Sequence, residues 1–306
     1  MALDRVEQEA IDNFQGQQNP EGGLEVNDDN LKSVGIQVAL KMGEMVQRAR
    51  ADLGSIQFSK KADGSRVTNI DKNAETLARE IIGRSFPDHL VTGEEQGGIA
   101  DSERYTWAID PIDGTNVFLS HENTAGVSVC LFKDEVAVMS VVYNPFTGEL
   151  YYAFGSDRSR LIRQYGFSNE VTGDDLPLQS IEPEQASKFV NVHPVIRNFP
   201  PNKRLRRALV DGKIDKLLQI GGSPAVELAS ITKGHFTTIL NWGKEQADPW
   251  DLAAGVHIVR NAGGVVTDIH NRDIELVGHS GLVVASINKE LHDLVLGIIN
   301  QAEIGG

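Results

Sequence analysis

The chain has 306 residues, with 29 Lys+Arg against 43 Asp+Glu, a formal net charge of −14 and a single cysteine, Cys130. This excludes an internal disulfide framework, a bilayer-crossing run of ~20 apolar residues and the basic surface that a nucleic-acid polymer requires. An acidic chain can still bind phosphate if it first takes up divalent metal. The first residues lack the basic start and apolar stretch of a secretory signal, so the expected location is the cytosol, with no membrane contact. The length suits one large domain or two coupled ones.

In chain order, residues 3–14 place apolar side chains at helical spacing, and a Gly/Asn/Asp-rich stretch follows. Residues 1–30 therefore form an expected N-terminal arm. A helix is predicted over 31–52, with Val34, Val38, Met42 and Val46 on its apolar face and Asp29 or Asn30 as cap. A polar turn around Asp63-Gly64 precedes a second helix over 71–85, which Phe86-Pro87 ends. Strands are predicted at 89–92, 106–109, 126–132, 136–143 and 149–154, the last two joined as a hairpin across Asn144-Pro145-Phe146-Thr147-Gly148. This first unit, residues 31–185, is expected to be a largely antiparallel α+β domain. Its end is placed in the polar, irregular segment 155–185. Beyond it, strands at 189–192, 216–220, 237–240, 265–268 and 282–285 alternate with helices at 202–211, 225–232, 251–261 and 289–301. Residues 186–306 thus read as an α/β domain.

Three acidic clusters follow predicted strands or open a helix. They are Gly93-Glu94-Glu95, Asp110-Pro111-Ile112-Asp113-Gly114-Thr115, and Trp250-Asp251. In the second, Asp110 leaves an apolar strand, where an unpaired carboxylate is costly. Pro111 fixes the backbone and is expected to make a sharp turn, Asp113 follows three residues on, and the Ile112 carbonyl can face the same point. Gly114 and Thr115 then offer backbone N–H groups without bulk, suited to an anion. Carboxylates, a carbonyl and substrate phosphate form the ligand set that Mg²⁺ prefers. Two ions about 4 Å apart can align an attacking water with a leaving oxygen, so the chemistry points to metal-assisted hydrolysis of a phosphate ester. Standing alone, the second cluster could be a capped turn and Asp251 an N-cap. Their combination and order favour the metal site. Cys130 sits mid-strand and reads as a core residue, and neither His121 nor His257 is assigned a catalytic role.

These segments resemble the inositol monophosphatase family, within the superfamily that also holds fructose-1,6-bisphosphatases and 3′-phosphoadenosine-5′-phosphate phosphatases. The matching stretches are KKADGSRVTNID (60–71), FPDHLVTGEE (86–95), WAIDPIDGTNVF (107–118) and WDLAAGVHIVRNAGG (250–264), and the likeness extends over roughly 31–301. It implies a layered αβαβα sandwich of the sugar-phosphatase type, a homodimer, and Mg²⁺, two or three ions per site. By resemblance, Glu94, Glu95, Asp110, Ile112, Asp113 and Asp251 are metal ligands. Asp71, Glu94 and Thr115 are catalytic, with Thr115 and Asp71 paired to orient and deprotonate water. Asp113, Gly114, Thr115, Gly222 and Ser223 face the substrate. Lithium sensitivity is implied too.

The substrate half departs from the family pattern. The usual GAFxNG-type segment is replaced by Gly155-Ser156-Asp157-Arg158-Ser159-Arg160. Pro224 stands where a small non-proline residue is usual; it either removes a backbone donor or serves as the first residue of the next helix. An Asp usual near 234–237 and a Glu usual near Leu240 are missing. A longer loop over 241–249 could offer Lys244 or Glu245 to a substrate, and Trp242 with Lys244 is the candidate platform for a nucleotide. The expected activity is therefore Mg²⁺-dependent hydrolysis of a small phosphomonoester, inositol-1-phosphate or a related sugar or polyol phosphate. Fructose-1,6-bisphosphate and 3′-phosphoadenosine-5′-phosphate are the alternatives. Outside the enzymes, a catalytically silent metal- and phosphate-binding protein keeps the same fold. A dinucleotide-dependent oxidoreductase is set aside, because no G-x-G-x-x-G follows a strand.

Overall fold

The computed structural model describes residues 22–51, 54, 56–61, 66–157, 159–163, 172–175, 188–193, 202–219, 221–234 and 237–301, with the side chains of 163, 172–175, 202 and 241–246 left aside. The helix expected over 3–14 and the Asp63-Gly64 turn lie outside these residues.

Helix α1 (Asp28–Ala51) begins earlier than the apolar pattern suggests, because the Asn27 side chain caps it by accepting the Asn30 amide at 2.9 Å. Asp29 and Asn30 are thus inside the helix, where Asp28 and Asp29 suit the positive end of its dipole. The chain just before it is also tied down: Leu24 is buried and donates its amide to the Ser85 carbonyl at 2.7 Å. A short antiparallel hairpin, β1 (Phe58–Lys60) and β2 (Arg66–Thr68), leads into α2 (Asn69–Ser85). There Thr68 and Asp71 form a complete capping box, so the helix starts two residues before the expected Asp71.

Next come β3 (Leu90–Gly93), β4 (Thr106–Asp113), the short helix α3 (Thr115–Leu119), β5 (Gly126–Lys133), β6 (Val136–Asn144) and β7 (Glu149–Phe154). The segment expected to be irregular adds two further strands, β8 (Arg160–Arg163) and β9 (Thr172–Asp175). Their backbones pair antiparallel with β7 and with each other, and Leu161 of β8 is buried in the core, which supplies the order that the mostly polar segment around them does not signal. Among the described residues the seven strands β3 to β9 form one sheet in chain order, antiparallel except for the parallel β3–β4 pair.

The second half contributes β10 (Phe189–Val192), α4 (Asn202–Val210), β11 (Lys216–Leu218), α5 (Pro224–Ile231), β12 (Thr237–Gln246), α6 (Pro249–Asn261), β13 (Val265–Asp268), β14 (Ser280–Ser286) and α7 (Lys289–Ile299). Its sheet runs β11-β10-β12-β14-β13, with parallel pairs around β10 and antiparallel pairs at β14. β12 continues to Gln246 through most of the segment expected as a loop, with a break in register between Asn241 and Gln246. β14 pairs with it on either side of that break, Asn241 with Leu282 and Gln246 with Ser280. Residue 220, the expected end of β11, and the side chains of Trp242, Lys244 and Glu245 lie outside the described set.

The layers stack as expected, αβαβα. Apolar residues of α1 and α2 cover one face of the seven-stranded sheet. Ala225, Val226, Ala253, Ala254 and Ile258 of α5 and α6 cover the other. The opposite sides of α5 and α6, through Leu228, Leu252, Val256 and Val259, pack on the five-stranded sheet, whose outer face carries α4 and α7. No helix among the described residues is long and apolar enough to cross a membrane.

Candidate active site

Asp110 and Asp113 lie at the end of β4. In a regular strand, residues three apart face opposite sides. Here the β4–β5 register shifts: Asp110 pairs with Ser128 and Asp113 with Gly126, so three steps on β4 oppose two on β5. This bulge, rather than the sharp turn expected from Pro111, lets both carboxylates aim one way. Asp251 joins them from the first turn of α6, which Pro249 opens after Asp248 at the N-cap position. The Ser128 hydroxyl donates to the Trp250 carbonyl at 2.7 Å and ties that helix start to β5. Asp110, Asp113 and Asp251 each offer an oxygen, and these atoms lie within 4.8 Å of one another.

Buried carboxylates this close repel. Burial, then the charges of Glu94, Asp113 and Asp251, hold the Asp110 carboxyl well above its ordinary range. Burial lifts Asp113 to about 7, although the Ser223 hydroxyl and the Ala225 amide both donate to its Oδ2, at 2.5 and 2.7 Å. A divalent cation bound by hard oxygens relieves this repulsion, so the residues present fit Mg²⁺ or a similar ion.

Glu94 and Glu95 follow β3, and the Glu94 amide donates to the Ile109 carbonyl at 3.2 Å, which sets the turn beside β4. Lys61, directly after β1, donates from Nζ to Glu94 Oε1 at 2.6 Å and to Glu95 Oε1 at 2.8 Å. Burial opposes the Lys61 charge, but the bonds and attraction of the two glutamates outweigh it and raise its pKa above the usual range. Burial lifts Glu95 to about 7 against the Lys61 bond.

Asp71 is fully buried. Its Oδ2 accepts from the Thr68 amide and hydroxyl, while its Oδ1 accepts from Thr115 Oγ1 at 3.3 Å. The expected Thr115–Asp71 pair therefore forms across 44 residues of chain. Burial pushes Asp71 up to about 6, with the Glu94 charge adding to it. The Ile112 carbonyl also accepts from Thr115 Oγ1, at 3.3 Å. Gly114, ahead of α3, has φ of 88°, and a Cβ there would stand 2.5 Å from the Gly222 carbonyl oxygen.

The substrate-side residues divide. Gly222 touches Gly114, next to the acidic cluster. Ser223 is fully buried: it caps α5 and spends its hydroxyl on Asp113. Pro224 is in the first turn of α5, the favourable helical position. Cys130 is a core residue, as expected, and burial pushes its thiol up to about 12. His257 is buried between the Ser140 hydroxyl and the Gly155 carbonyl. His121 is exposed at the end of α3 with φ of 64°.

Two further glutamates support the site and escaped the sequence patterns. Glu75 of α2 is fully buried; its Oε2 accepts the Glu95 amide at 2.8 Å and its Oε1 the Gln96 amide at 3.2 Å, while Arg79 pairs with it at 2.7 Å. Glu227 of α5 accepts the Gly222 amide at 2.8 Å and the Asn191 side chain at 3.0 Å, and burial lifts it to about 8. The available signal was an acid on an otherwise apolar helix face. A cavity of about 990 Å³ runs beside α6, from Pro249 to His257, Arg260 and Asn261, and its lining contains none of the acidic cluster.

The family model described as inositol monophosphatase family matches residues 27–303. The chain belongs to the inositol monophosphatase family. The "Fructose-1,6-bisphosphatase/inositol-1-monophosphatase" of Aquifex aeolicus is 28% identical over 266 residues, covering 85% of this chain and 91% of that one. The "Nus factor SuhB" of Haemophilus influenzae is 28% identical over 268 residues, covering 87% and 94%. The crystal structure of the extragenic suppressor protein suhB from Bartonella henselae superposes with a TM-score of 0.73 at 21% identity, covering 89% of this chain and 99% of that one. The likeness to that structure supports the fold. The inositol monophosphatase family is metal-dependent, in keeping with the Asp110, Asp113 and Asp251 cluster.

Proposed function

We propose that the chain is a Mg²⁺-dependent phosphatase of small phosphomonoesters, with inositol-1-phosphate or a related sugar or polyol phosphate as substrate. The convergence of Asp110, Asp113 and Asp251 within 4.8 Å, beside the Thr115–Asp71 pair, carries the proposal. Those three carboxylates, with Glu94, Glu95 and the Ile112 carbonyl, would hold two or three ions. Bound there, Mg²⁺ supplies a Lewis acid that acidifies water and offsets charge on the phosphoryl and leaving oxygens. Thr115 orients the attacking water, and Asp71 takes up its proton at Oδ1, the oxygen that faces the Thr115 hydroxyl. The Gly114 and Thr115 amides hold phosphoryl oxygens in place, and Gly222 borders the leaving group. Ser223 acts through Asp113, whose Oδ2 it fixes. The water oxygen forms the new P–O bond, the ester P–O bond breaks, and the leaving alkoxide takes a proton from solvent.

A catalytically silent metal- and phosphate-binding protein is the alternative, favoured by the Nus factor name of the Haemophilus relative. The test is phosphate release from inositol-1-phosphate, fructose-1,6-bisphosphate, 3′-phosphoadenosine-5′-phosphate and histidinol phosphate, with Mg²⁺ and with EDTA. Mg²⁺-dependent release that Asp110→Asn abolishes supports the enzyme and selects its substrate. Full activity in Asp110→Asn would remove Asp110 from the metal site. No release from any of the four means either another phosphomonoester substrate or the silent protein, and a wider panel then separates them.

A further inference from the structure

The turn on the leaving-group side of the cleft is held from behind. Gly221 and Gly222 both have positive φ, 137° and 125°. A Cβ on Gly221 would stand 1.7 Å from Glu227 Oε1, and one on Gly222 2.3 Å from Val117 Cγ1. Neither position admits a side chain, so the bare backbone lies against both α5 and α3. Glu227 is the buried carboxyl behind it. Its Oε1 accepts the Gly222 amide at 2.8 Å, and its Oε2 accepts from Asn191 Nδ2 at 3.0 Å and from Thr238 Oγ1 at 3.4 Å. Asn191 Nδ2 also donates to Thr238 Oγ1 at 3.0 Å, and His193 Nε2 lies 3.3 Å from Glu227 Oε1. Asn191 and Thr238 are register partners in the parallel β10–β12 pair. One side chain thus fastens the turn to the five-stranded sheet.

The same bond decides what the turn offers a substrate. The Gly222 N–H is spent on Glu227, the Ser223 hydroxyl and the Ala225 amide are spent on Asp113, and Pro224 has no N–H. In a trans peptide the Gly221 carbonyl points opposite to the Gly222 N–H, and so away from Glu227. The Gly222 carbonyl oxygen lies on the Gly114 side, where a Cβ on Gly114 would stand 2.5 Å from it. With its amide turned inward, the turn meets a leaving group with acceptors, and an acceptor suits a hydroxyl donor.

We propose that Glu227 is a positioning residue for the leaving-group side of the cleft: by holding the Gly222 amide inward it sets a wall of backbone carbonyls that accepts hydrogen bonds from the hydroxyl groups of the leaving alcohol. The proposal rests on the phosphatase reading above and deepens it, because it names the residue through which the five-stranded sheet reaches the substrate. The partners of Glu227, which are Gly222, Asn191, His193 and Thr238, include no proposed metal ligand, so it acts on the organic half of the substrate and not on the ions. Burial lifts Glu227 to about 8, so at neutral pH it carries its proton and matches glutamine in charge.

The test compares the whole wild-type protein with Glu227→Gln and Glu227→Ala. Gly221→Ala, whose methyl pushes the carboxyl off the amide without removing it, replaces Glu227→Ala if that variant does not fold. Hydrogen exchange read by mass spectrometry follows the Gly222 amide, and calorimetry follows Mg²⁺ binding. KM, kcat and inhibition by inorganic phosphate are measured with the phosphomonoester that the wild-type protein hydrolyses. Without the carboxyl, Gly222 exchange and KM should each rise about tenfold, while kcat, phosphate inhibition and Mg²⁺ affinity stay within about threefold. Glu227→Gln, which keeps an acceptor for the amide, should stay within about threefold of wild type throughout. Faster exchange at an unchanged KM overturns the proposal and leaves the phosphatase reading standing. Unchanged exchange overturns it as well, because Glu227 then does not hold the amide. A loss shared equally by KM, kcat, phosphate inhibition and Mg²⁺ affinity makes the role structural only and likewise overturns it. If the wild-type protein hydrolyses no phosphomonoester of the wider panel, the phosphatase reading falls and the role of Glu227 falls with it.

Discussion

Replacing Glu75 should damage both the fold and the metal site, although Glu75 is not itself a proposed ligand. Its carboxylate holds the amides of Glu95 and Gln96, and Arg79 pairs with it while also donating to the Val91 and Gly97 carbonyls. The turn carrying Glu94 and Glu95 thus hangs on one buried carboxylate. The approach is so close that a Cβ on Gly93 would lie 2.5 Å from the Glu75 carboxyl carbon. Glu75→Ala leaves two amides without their acceptor, at about 1–3 kcal/mol each. It also leaves a part-buried guanidinium without its carboxylate, and breaking such a pair costs about 3–5 kcal/mol. These costs share partners, so the expected loss is about 4 kcal/mol rather than their sum. Glu75→Gln keeps one carbonyl acceptor in the same volume and should lose about 2 kcal/mol. Urea unfolding followed by circular dichroism measures both losses, and Mg²⁺ calorimetry should show weakening in the same order, Ala more than Gln. A loss below about 1 kcal/mol in Glu75→Ala, with Mg²⁺ affinity unchanged, would refute the claim that this carboxylate sets the turn.

Other perturbations separate further parts of the argument. The carboxyls of Glu95 and Asp113, raised by burial to about 7, hold protons that the unfolded chain has already lost, as does the Asp110 carboxyl, held well above its ordinary range, so the stabilising contribution of Glu95 and Asp113 in EDTA disappears as pH rises through about 7. The same protons compete with a cation, so the rise in Tm on adding Mg²⁺ should grow between pH 5 and pH 8. His89, His193 and His292, held near 4 by burial, act in the opposite direction below about 6.5 but contribute to both curves, and a difference independent of pH would contradict the proton competition. Gly114→Ala must place a Cβ at φ of 88° and 2.5 Å from the Gly222 oxygen. It should cost about 2–4 kcal/mol and most of the turnover, and full turnover with an unchanged urea midpoint would show that the two loops need not touch.

Much of the site was legible in local pattern because its ligands travel in short motifs. Asp110 and Asp113 share one strand end, Glu94 and Glu95 one turn, and Asp251 the first turn of a helix whose apolar stripe is plain. The two long N-terminal helices and the β5–β7 hairpins also follow from periodicity. What was not legible depends on partners distant in the chain. Ser223 bonds to Asp113 across 110 residues, and no spacing rule joins them. β9 is polar, β8 offers only Leu161 and Ile162 between two arginines, and both gain their order from pairing, while β12 pairs with β14 again at Gln246 beyond the break in register. Glu75 and Glu227 looked like ordinary helix charges until their burial and their amide partners were known.

The convergence of helix starts explains how the chain tolerates so much buried acid. Asp71 lies in the first turn of α2 and Asp251 in the first turn of α6, while Asp113 accepts an amide from the first turn of α5. Each of three helices thus directs its partial positive end at one carboxylate, a contribution of about 0.3–1 kcal/mol apiece, and more where solvent is excluded. That does not bring the cluster back to the ordinary carboxylate range, since burial still lifts Asp71 to about 6 and Glu95 and Asp113 to about 7, and holds Asp110 well above its ordinary value. The remaining deficit is one that a divalent cation can fill. α6 is wedged between the two sheets, with Ala253, Ala254 and Ile258 on one side and Leu252, Val256 and Val259 on the other. Packing in both halves of the molecule therefore fixes where Asp251 meets Asp110 and Asp113, and the ion-binding geometry is a property of the whole sandwich rather than of the β4 motif alone.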